Sequence, residues 1–358
     1  MKIEKRLWIT LFAFGMFAIC FSGWIFSQST TREKLFWDNT IQCETKELKE
    51  GEIKSENIAL PEDFDIPRSI LFKTTHTIAE VWLDGEKIYE YGNEPDAPGF
   101  METPGCCWHI VDIPGDSAGK SLEVRIIPVY EGYYGNEVSL VYGTRGDCIL
   151  KILTDSLGTL VISCGILFAA VICLILYCGA ARRKRRDKTE AKIEIFLNLG
   201  FFSLLVAVWT LVQCGFVQFL IPDGRTLYFV DYFSLFLFPV PFNFLLYDIC
   251  KSRYHKVALV FSSLYLANMA VDVLLQCTGI IDMSRLLSVT HVIMVANAVY
   301  TVAIILYEAR KKENDVAKKF QYPMYVAMGF GMAEMFLYYL RRFEQISILL
   351  STGIMLFI

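Results

Sequence analysis

The chain has 358 residues, of which 54 % are apolar and 14 % aromatic, and its mean hydropathy is +0.41. This composition is typical of a membrane protein rather than of a soluble domain. The net charge of −4 argues against a nucleic-acid partner. The sequence contains no H-E-x-x-H, C-x-x-C, G-x-S-x-G or phosphate-binding glycine motif. We therefore expect no catalytic residues, no metal and no cofactor in these residues.

The N-terminus contains an uncharged apolar run, Leu7–Phe26, that follows three basic residues. As a helix its 20 residues reach about 30 Å, which is enough to cross the hydrocarbon core. A cleaved signal peptide is the alternative, although its apolar region is usually only about 7–15 residues long. The pattern favours an uncleaved transmembrane signal anchor at 1–26, followed by a linker at 27–44.

Long apolar runs with short polar connections fill the chain from residue 156 onward, which is typical of a helical membrane bundle. They lie at about 156–178, 195–217, 226–250, 257–277, 286–307, 321–340 and from 346 onward. We predict a domain of seven transmembrane helices at 156–358. Its last run is too short to span, so we expect a truncated helix that would continue into the cytoplasm.

The basic residues predict the orientation of these helices. The N-terminal segment and every second connection hold 18 Lys and Arg residues, whereas the alternate connections hold 4. Cytoplasmic loops collect basic residues. We therefore predict a multi-pass protein of the cell membrane with a cytoplasmic N-terminus and with residues 27–155 outside the cell.

The predicted outer segment contains short β-type runs separated by turn signals. They lie at 68–75, 79–83, 87–91, 108–113, 121–129 and 137–142. Asp84-Gly85 between two such runs is a strong hairpin signal. This spacing predicts an all-β sandwich or jelly roll at 45–150. Its longest predicted loop, 92–105, could be a lid or a surface excursion.

Aromatic residues are frequent in this segment, and two interpretations remain open. Those at alternating strand positions, such as Trp82, would fill the core of the sandwich. The others could line a pocket for a sugar-like or apolar ligand, because aromatic faces stack on such molecules. The candidate ligand-binding residues are Trp108, His109, Tyr130, Tyr133 and Tyr134. Cys43 and Cys148 flank the domain and are candidates for a disulfide in an oxidising space.

Four ionisable residues interrupt the apolar runs: Asp231, Asp272, His291 and Glu334. Such residues are costly in a membrane and suggest a function. Counted from the helix ends, all four fall at a similar depth, about 8–10 Å below the outer surface. They could line one cavity open towards the outer domain, or they could form separate interhelical hydrogen bonds. We also expect Pro239 and Pro241 to kink their helix.

The sequence resembles the bacterial seven-transmembrane receptors with diverse intracellular signalling modules. The resemblance rests on the motif AEVWLDGEKIYEYG (79–92) and on the apolar passages 138–178 and 196–249. It implies a carbohydrate-binding type of jelly roll outside the cell. It also implies a cytoplasmic diguanylate cyclase (GGDEF) or histidine kinase domain, which these 358 residues do not contain.

We therefore expect a signalling receptor that senses an extracellular small molecule or carbohydrate and relays the signal through its helices. The expected partners are this ligand, the lipid bilayer and a second copy in a homodimer. A transporter with an extracytoplasmic substrate-binding domain is the alternative, because polar groups on broken helices also mark substrate paths. A hydrolase would need carboxylates beside a histidine, which only the polar layer offers.

Overall fold

The computed structural model describes residues 54–60, 68–93, 97–130, 140–187, 193–250, 253–311, 313–340 and 348–358. The predicted anchor and linker lie outside these residues, as do Cys43, Tyr133 and Tyr134.

Among the residues that the structure describes, seven strands precede the helices. They are β1 (Lys54–Ala59), β2 (Arg68–Thr75), β3 (Thr77–Leu83), β4 (Glu86–Tyr91), β5 (Cys106–Ile113), β6 (Ser121–Pro128) and β7 (Val141–Gly143). The predicted runs between residues 68 and 129 coincide with β2 to β6, whereas β1 was not predicted. The strands form two antiparallel sheets, with the orders β1-β6-β3-β4 and β5-β2-β7.

The two sheets share one apolar core. Ile70 and Val111 of the three-stranded sheet pack in the same cluster as Val81, Leu122 and Val124 of the four-stranded sheet. Period-two alternation supplies these inward side chains, because successive residues of a strand point to opposite faces. We call this unit, residues 54–143, the sheet domain.

The β3–β4 hairpin confirms one prediction and corrects another. Asp84 and Gly85 have φ values of 47° and 82°, as a two-residue type I′ turn requires. Along β3 the odd-numbered residues point inward, so Trp82 lies on the opposite face. There the Arg125 guanidinium lies 4.4 Å from the Trp82 ring. The prediction that Trp82 fills the core was wrong, because the strand register places its two neighbours inward instead.

In the described residues, eight α-helices follow the sheets. They are α1 (Arg145–Asp187), α2 (Glu194–Val212), α3 (Gly224–Leu237), α4 (Pro239–Ile249), α5 (Val257–Cys277), α6 (Met283–Lys311), α7 (Asp315–Leu340) and α8 (Ile348–Phe357). We call them the helical bundle. Aromatic, aliphatic and methionine side chains from most of these helices form its core, among them Phe202, Phe236, Met324 and Phe357.

Five helical segments in the described part of the chain are long and apolar enough to cross a membrane. They are Arg145–Arg183, Glu194–Val212, Gly224–Ile249, Tyr254–Cys277 and Met283–Lys311. They indicate a membrane-spanning protein. The α7 helix is long enough but less apolar, and the ten-residue α8 is too short. The count of seven spanning helices therefore stays a prediction.

The third of these segments is interrupted at Pro239, where Pro239 and Pro241 predict a kink, and we call this point the α3–α4 break. The α3 helix ends at Leu237 and α4 begins at Pro239, with Phe238 between them. Proline has no backbone N–H and its ring clashes with the preceding turn, so the helix cannot continue unchanged through it.

Candidate functional site

The sheet domain meets the helical bundle at a buried polar junction centred on Asp282, which lies between α5 and α6 and is 3 % exposed. Its carboxylate accepts hydrogen bonds from the backbone N–H of Thr103 (3.0 Å) and of Glu102 (3.4 Å). It also accepts one from the Tyr130 hydroxyl. These three hydrogen bonds connect residues 102–103 and Tyr130, which follows β6, to the bundle through a single side chain.

Gln276, at the end of α5, extends the junction. Its Nε2 donates to Asp282 Oδ1 and to the Phe100 carbonyl, both at 2.7 Å. Its Oε1 accepts from the Tyr228 hydroxyl (3.2 Å) and the Met283 N–H (3.0 Å). Every donor and acceptor of this buried amide is therefore used. A fully satisfied polar network holds its members in one arrangement.

The Tyr130 hydroxyl completes the network between the two units. It accepts a hydrogen bond from Ser284 Oγ (3.2 Å) while it donates to Asp282. Burial and the hydrogen bond to Asp282 raise the pKa of Tyr130 above its usual range. The hydroxyl therefore stays protonated and remains a donor at all physiological pH values.

A second contact joins the edge of β5 to the 3₁₀ helix Gly215–Phe219. The Gln218 amide accepts from the Trp108 N–H (2.7 Å) and donates to the Trp108 carbonyl (2.6 Å). The side chain thus pairs with the strand as a neighbouring peptide would. A Cβ on Gly215 would lie 2.7 Å from Trp108 Nε1, so the absence of a side chain there lets the indole approach.

Two glycines form the third contact. Gly105, with φ +91°, lies directly against the carbonyl of Gly224, the first residue of α3. A Cβ on Gly224 would overlap the Tyr91 hydroxyl and the Cys107 thiol. The loop predicted as a lid or a surface excursion therefore docks on the helices where the structure describes it.

His76 lies buried beside this junction in a left-handed conformation, with φ 52°. Its Nδ1 is 2.8 Å from Thr103 Oγ1, and its ring faces Tyr130 at 5.6 Å and Tyr228 at 5.9 Å. Burial lowers the pKa of His76 from 6.5 to about 4, although Asp282 and Asp231 oppose the change. The ring is therefore neutral at pH 7.

The structure separates the three described candidate ligand residues. Trp108 and Tyr130 contact the helical bundle, as given above. His109 is 2 % exposed inside the sheet domain, where its Nε2 is 2.7 Å from Thr74 Oγ1 and its Nδ1 is 2.9 Å from the Tyr89 hydroxyl. Burial lowers the pKa of His109 to about 3. Their role in ligand binding stays a prediction.

The four residues of the predicted polar layer have different partners. Asp231 accepts from Gln213 Nε2 (2.6 Å), and Asp272 accepts from Asn268 Nδ2 (2.8 Å). His291 Nδ1 is 2.9 Å from the Tyr339 hydroxyl. Glu334 accepts from the Leu350 N–H at 2.5 Å. These contacts have the form of separate interhelical or intrahelical hydrogen bonds, and a common cavity for the four stays a prediction.

Cys148, the described member of the candidate disulfide, lies at the start of α1 with a fully buried thiol. Its Sγ is 3.9 Å from the Ser69 carbonyl. Because Cys43 lies outside the described residues, the disulfide stays a prediction.

Sequence reasoning missed the residues that make the junction: Asp282, Gln276, Gln218 and His76. The connections around Gln218 and Asp282 carry no signal in the sequence other than their scarcity of basic residues. A short polar loop at a helix end has the pattern of a solvated turn. Asp282 pairs with residues about 180 positions earlier in the chain, and no local pattern indicates such a contact.

Comparisons of the chain with protein-family models, with curated proteins and with solved structures found no match.

Proposed function

We propose that the chain is the sensor part of a seven-helix membrane receptor, with the sheet domain, a jelly roll, outside the cell. In this proposal the sheet domain binds an extracellular small molecule, with carbohydrates the leading class, and the helices relay the event to a cytoplasmic cyclase or kinase. The observation that carries the proposal is the buried junction around Asp282, which connects the sheet domain to the ends of α3, α5 and α6.

The position of the junction supports the proposed orientation. The sheet domain contacts the connections around Gln218 and Asp282. The stretches 218–225 and 278–285 hold one Lys or Arg residue each. Extracytoplasmic connections are poor in basic residues. In the proposed orientation the sheet domain and these two connections lie together on the outer side.

The satisfied hydrogen bonds support a relay. A ligand changes the helices only if it binds two arrangements of the protein with unequal affinity. Three separate contacts, at Asp282, Gln218 and Gly224, would pass a displacement of the sheet domain to three helix ends. A mobile tether between the two units would absorb such a displacement instead.

Hydrogen exchange of the chain in lipid nanodiscs tests this relay, with a panel of mono- and disaccharides as probes. We expect a binding sugar to slow exchange in the sheet domain and to change it at 276–284. In Asp282→Asn the first effect should remain and the second should vanish. Asp112→Asn, a surface control, should keep both. A sugar effect confined to the sheet domain in the unmodified chain would contradict the relay.

The proline interruption between α3 and α4 favours a transporter as the second candidate, because proline-interrupted helices also mark substrate sites. Uptake of a sugar by proteoliposomes that contain the chain would support transport. In the gene, a cyclase or kinase domain encoded after residue 358 would support the receptor.

A further inference from the structure

The helical bundle contains a cavity of about 90 Å³ near the break between α3 and α4. Phe238 and Pro239 of that break form part of its wall, together with side chains from α2 and α5 to α8. Five methionines line it: Met294, Met324, Met328, Met332 and Met335. Methionine is unbranched and flexible, so such a wall adapts to apolar molecules of different shapes.

Two polar side chains on α6 face this apolar cavity, Asn297 and Thr301, which are one helical turn apart. They are 4 % and 0 % exposed. Asn297 Oδ1 and Thr301 Oγ1 have no hydrogen-bond partner in the described part of the chain. Leaving a buried polar atom unpaired is unfavourable, and the cost is greater inside a membrane. The cavity therefore presents one acceptor and one hydroxyl to an occupant.

These two atoms define the polar group of the occupant. A ligand hydroxyl satisfies both at once, because it donates to Asn297 Oδ1 and accepts from the Thr301 hydroxyl. An ion would be unfavourable, because the described lining residues carry no opposite charge. A water molecule would find its minimum of two partners at these atoms, but the rest of the wall is largely apolar and matches an occupant that adds an apolar chain to the hydroxyl.

The partly exposed wall indicates the route of entry. Met332 on α7 is 41 % exposed, and Met294 and Ala298 on α6 are half-buried. These residues open the cavity between α6 and α7, on the face that a bilayer would surround. The volume is below that of an apolar cavity of about 150 Å³ that holds benzene, so a longer chain would extend into the lipid.

We propose that this cavity binds a lipophilic alcohol from the bilayer, with its hydroxyl on Asn297 and Thr301 and its chain along the methionines. The occupant would contact Pro239 and so bias the geometry of the α3–α4 break. This site lies within the bundle and is independent of any ligand of the sheet domain, so it stands whether or not the proposed receptor function holds.

Photolabelling of the chain in phosphatidylcholine nanodiscs tests the site. The probes are an octanol that carries a diazirine and the matching diazirine octane without a hydroxyl. We expect the alcohol to label the methionine wall, above all Met294 and Met328, and unlabelled octanol to compete. The double variant Asn297→Leu/Thr301→Val should reduce this labelling about fivefold or more, the effect of losing a hydrogen bond. The single variant Thr301→Val should reduce the labelling in part. It provides the same test if the double variant does not fold.

Thr290→Val is the matched control on the same helix, because the Thr290 hydroxyl already accepts from Asn268 (2.9 Å). It should leave the labelling unchanged. Equal labelling by the octane probe would show a lipid-chain site and overturn the proposal. Labelling that ignores the Asn297 and Thr301 substitutions, or that is confined to outward residues such as Val299, would also overturn it.

Discussion

The junction and the cavity are both buried and both contain polar side chains, but they differ in how those side chains are paired. At the junction, both oxygens of Asp282 and every polar atom of the Gln276 amide have partners. In the cavity, Asn297 Oδ1 and Thr301 Oγ1 have none among the described residues. A satisfied network fixes a geometry, whereas unpaired atoms beside empty space favour a ligand. We therefore interpret the junction as structural coupling and the cavity as a binding site.

Gly105→Ala should disrupt the junction and cause the largest loss of stability. The positive φ costs about 1–2 kcal/mol for a residue with a Cβ, and the contact with Gly224 adds an overpacking cost of about 1–3 kcal/mol. Unfolding by SDS in mixed micelles measures the change. Gly119→Ala is the matched control, with φ +71° and no atom within 4 Å of the new Cβ. Equal losses in the two variants would contradict the close contact.

Asp282→Asn should destabilise the protein by about 3 kcal/mol. An asparagine amide turns one oxygen into a donor, which would then face either the Thr103 N–H or the Gln276 Nε2. The same SDS titration measures the loss. Asp112→Asn is the comparison, because its carboxylate is 60 % exposed and pairs with Arg145 at 2.5 Å. It should cost about 1 kcal/mol or less, and a larger loss there than at residue 282 would contradict the central role of Asp282.

Acid should weaken the sheet domain and its junction through His76. The unfolded chain takes up the proton near pH 6.5, whereas the folded protein does so only near pH 4. The stability contributed by the neutral ring is therefore complete above pH 6.5 and is lost as the pH falls towards 4. At pH 5 the loss is about 2 kcal/mol.

His76→Asn tests this assignment, because asparagine tolerates the left-handed backbone and keeps a short polar group. Apparent melting temperatures at pH 7 and pH 5 measure the acid sensitivity. We expect the variant to lose part of it and to retain the part that buried His109 contributes. An unchanged difference between the two pH values would argue against His76.

The smallest expected change in stability comes from two threonine substitutions on α6, which compare a paired hydroxyl with an unpaired one. Thr290→Val removes one of the two acceptors of the Asn268 amide and should cost about 1 kcal/mol. Thr301→Val removes a hydroxyl without a partner among the described residues, so it should be neutral or slightly stabilising in ligand-free protein. SDS unfolding of both variants decides this. Equal destabilisation would show that Thr301 has a partner in the folded protein.

For the residues of the predicted polar layer, the sequence pattern predicted only part of what the structure shows. Asp231, Asp272 and Glu334 are buried, as expected of ionisable groups in spanning helices. Their common depth in a membrane, counted from the helix ends, stays a prediction. Which neighbour it bonds, such as Gln213 for Asp231, depends on the rotation of each helix about its axis, and the sequence pattern does not contain that rotation.

The sequence by itself determined the local elements: the strands between 68 and 129, the Asp84-Gly85 turn, the apolar helices and the break at Pro239. These follow from hydrophobic periodicity and from the φ restrictions of glycine and proline, which act over a few residues. Only the tertiary structure decided which face of β3 is buried, where 97–105 docks and which polar atoms are paired. Those outcomes depend on contacts between residues far apart in the chain, such as Thr103 and Asp282, and no local preference encodes them.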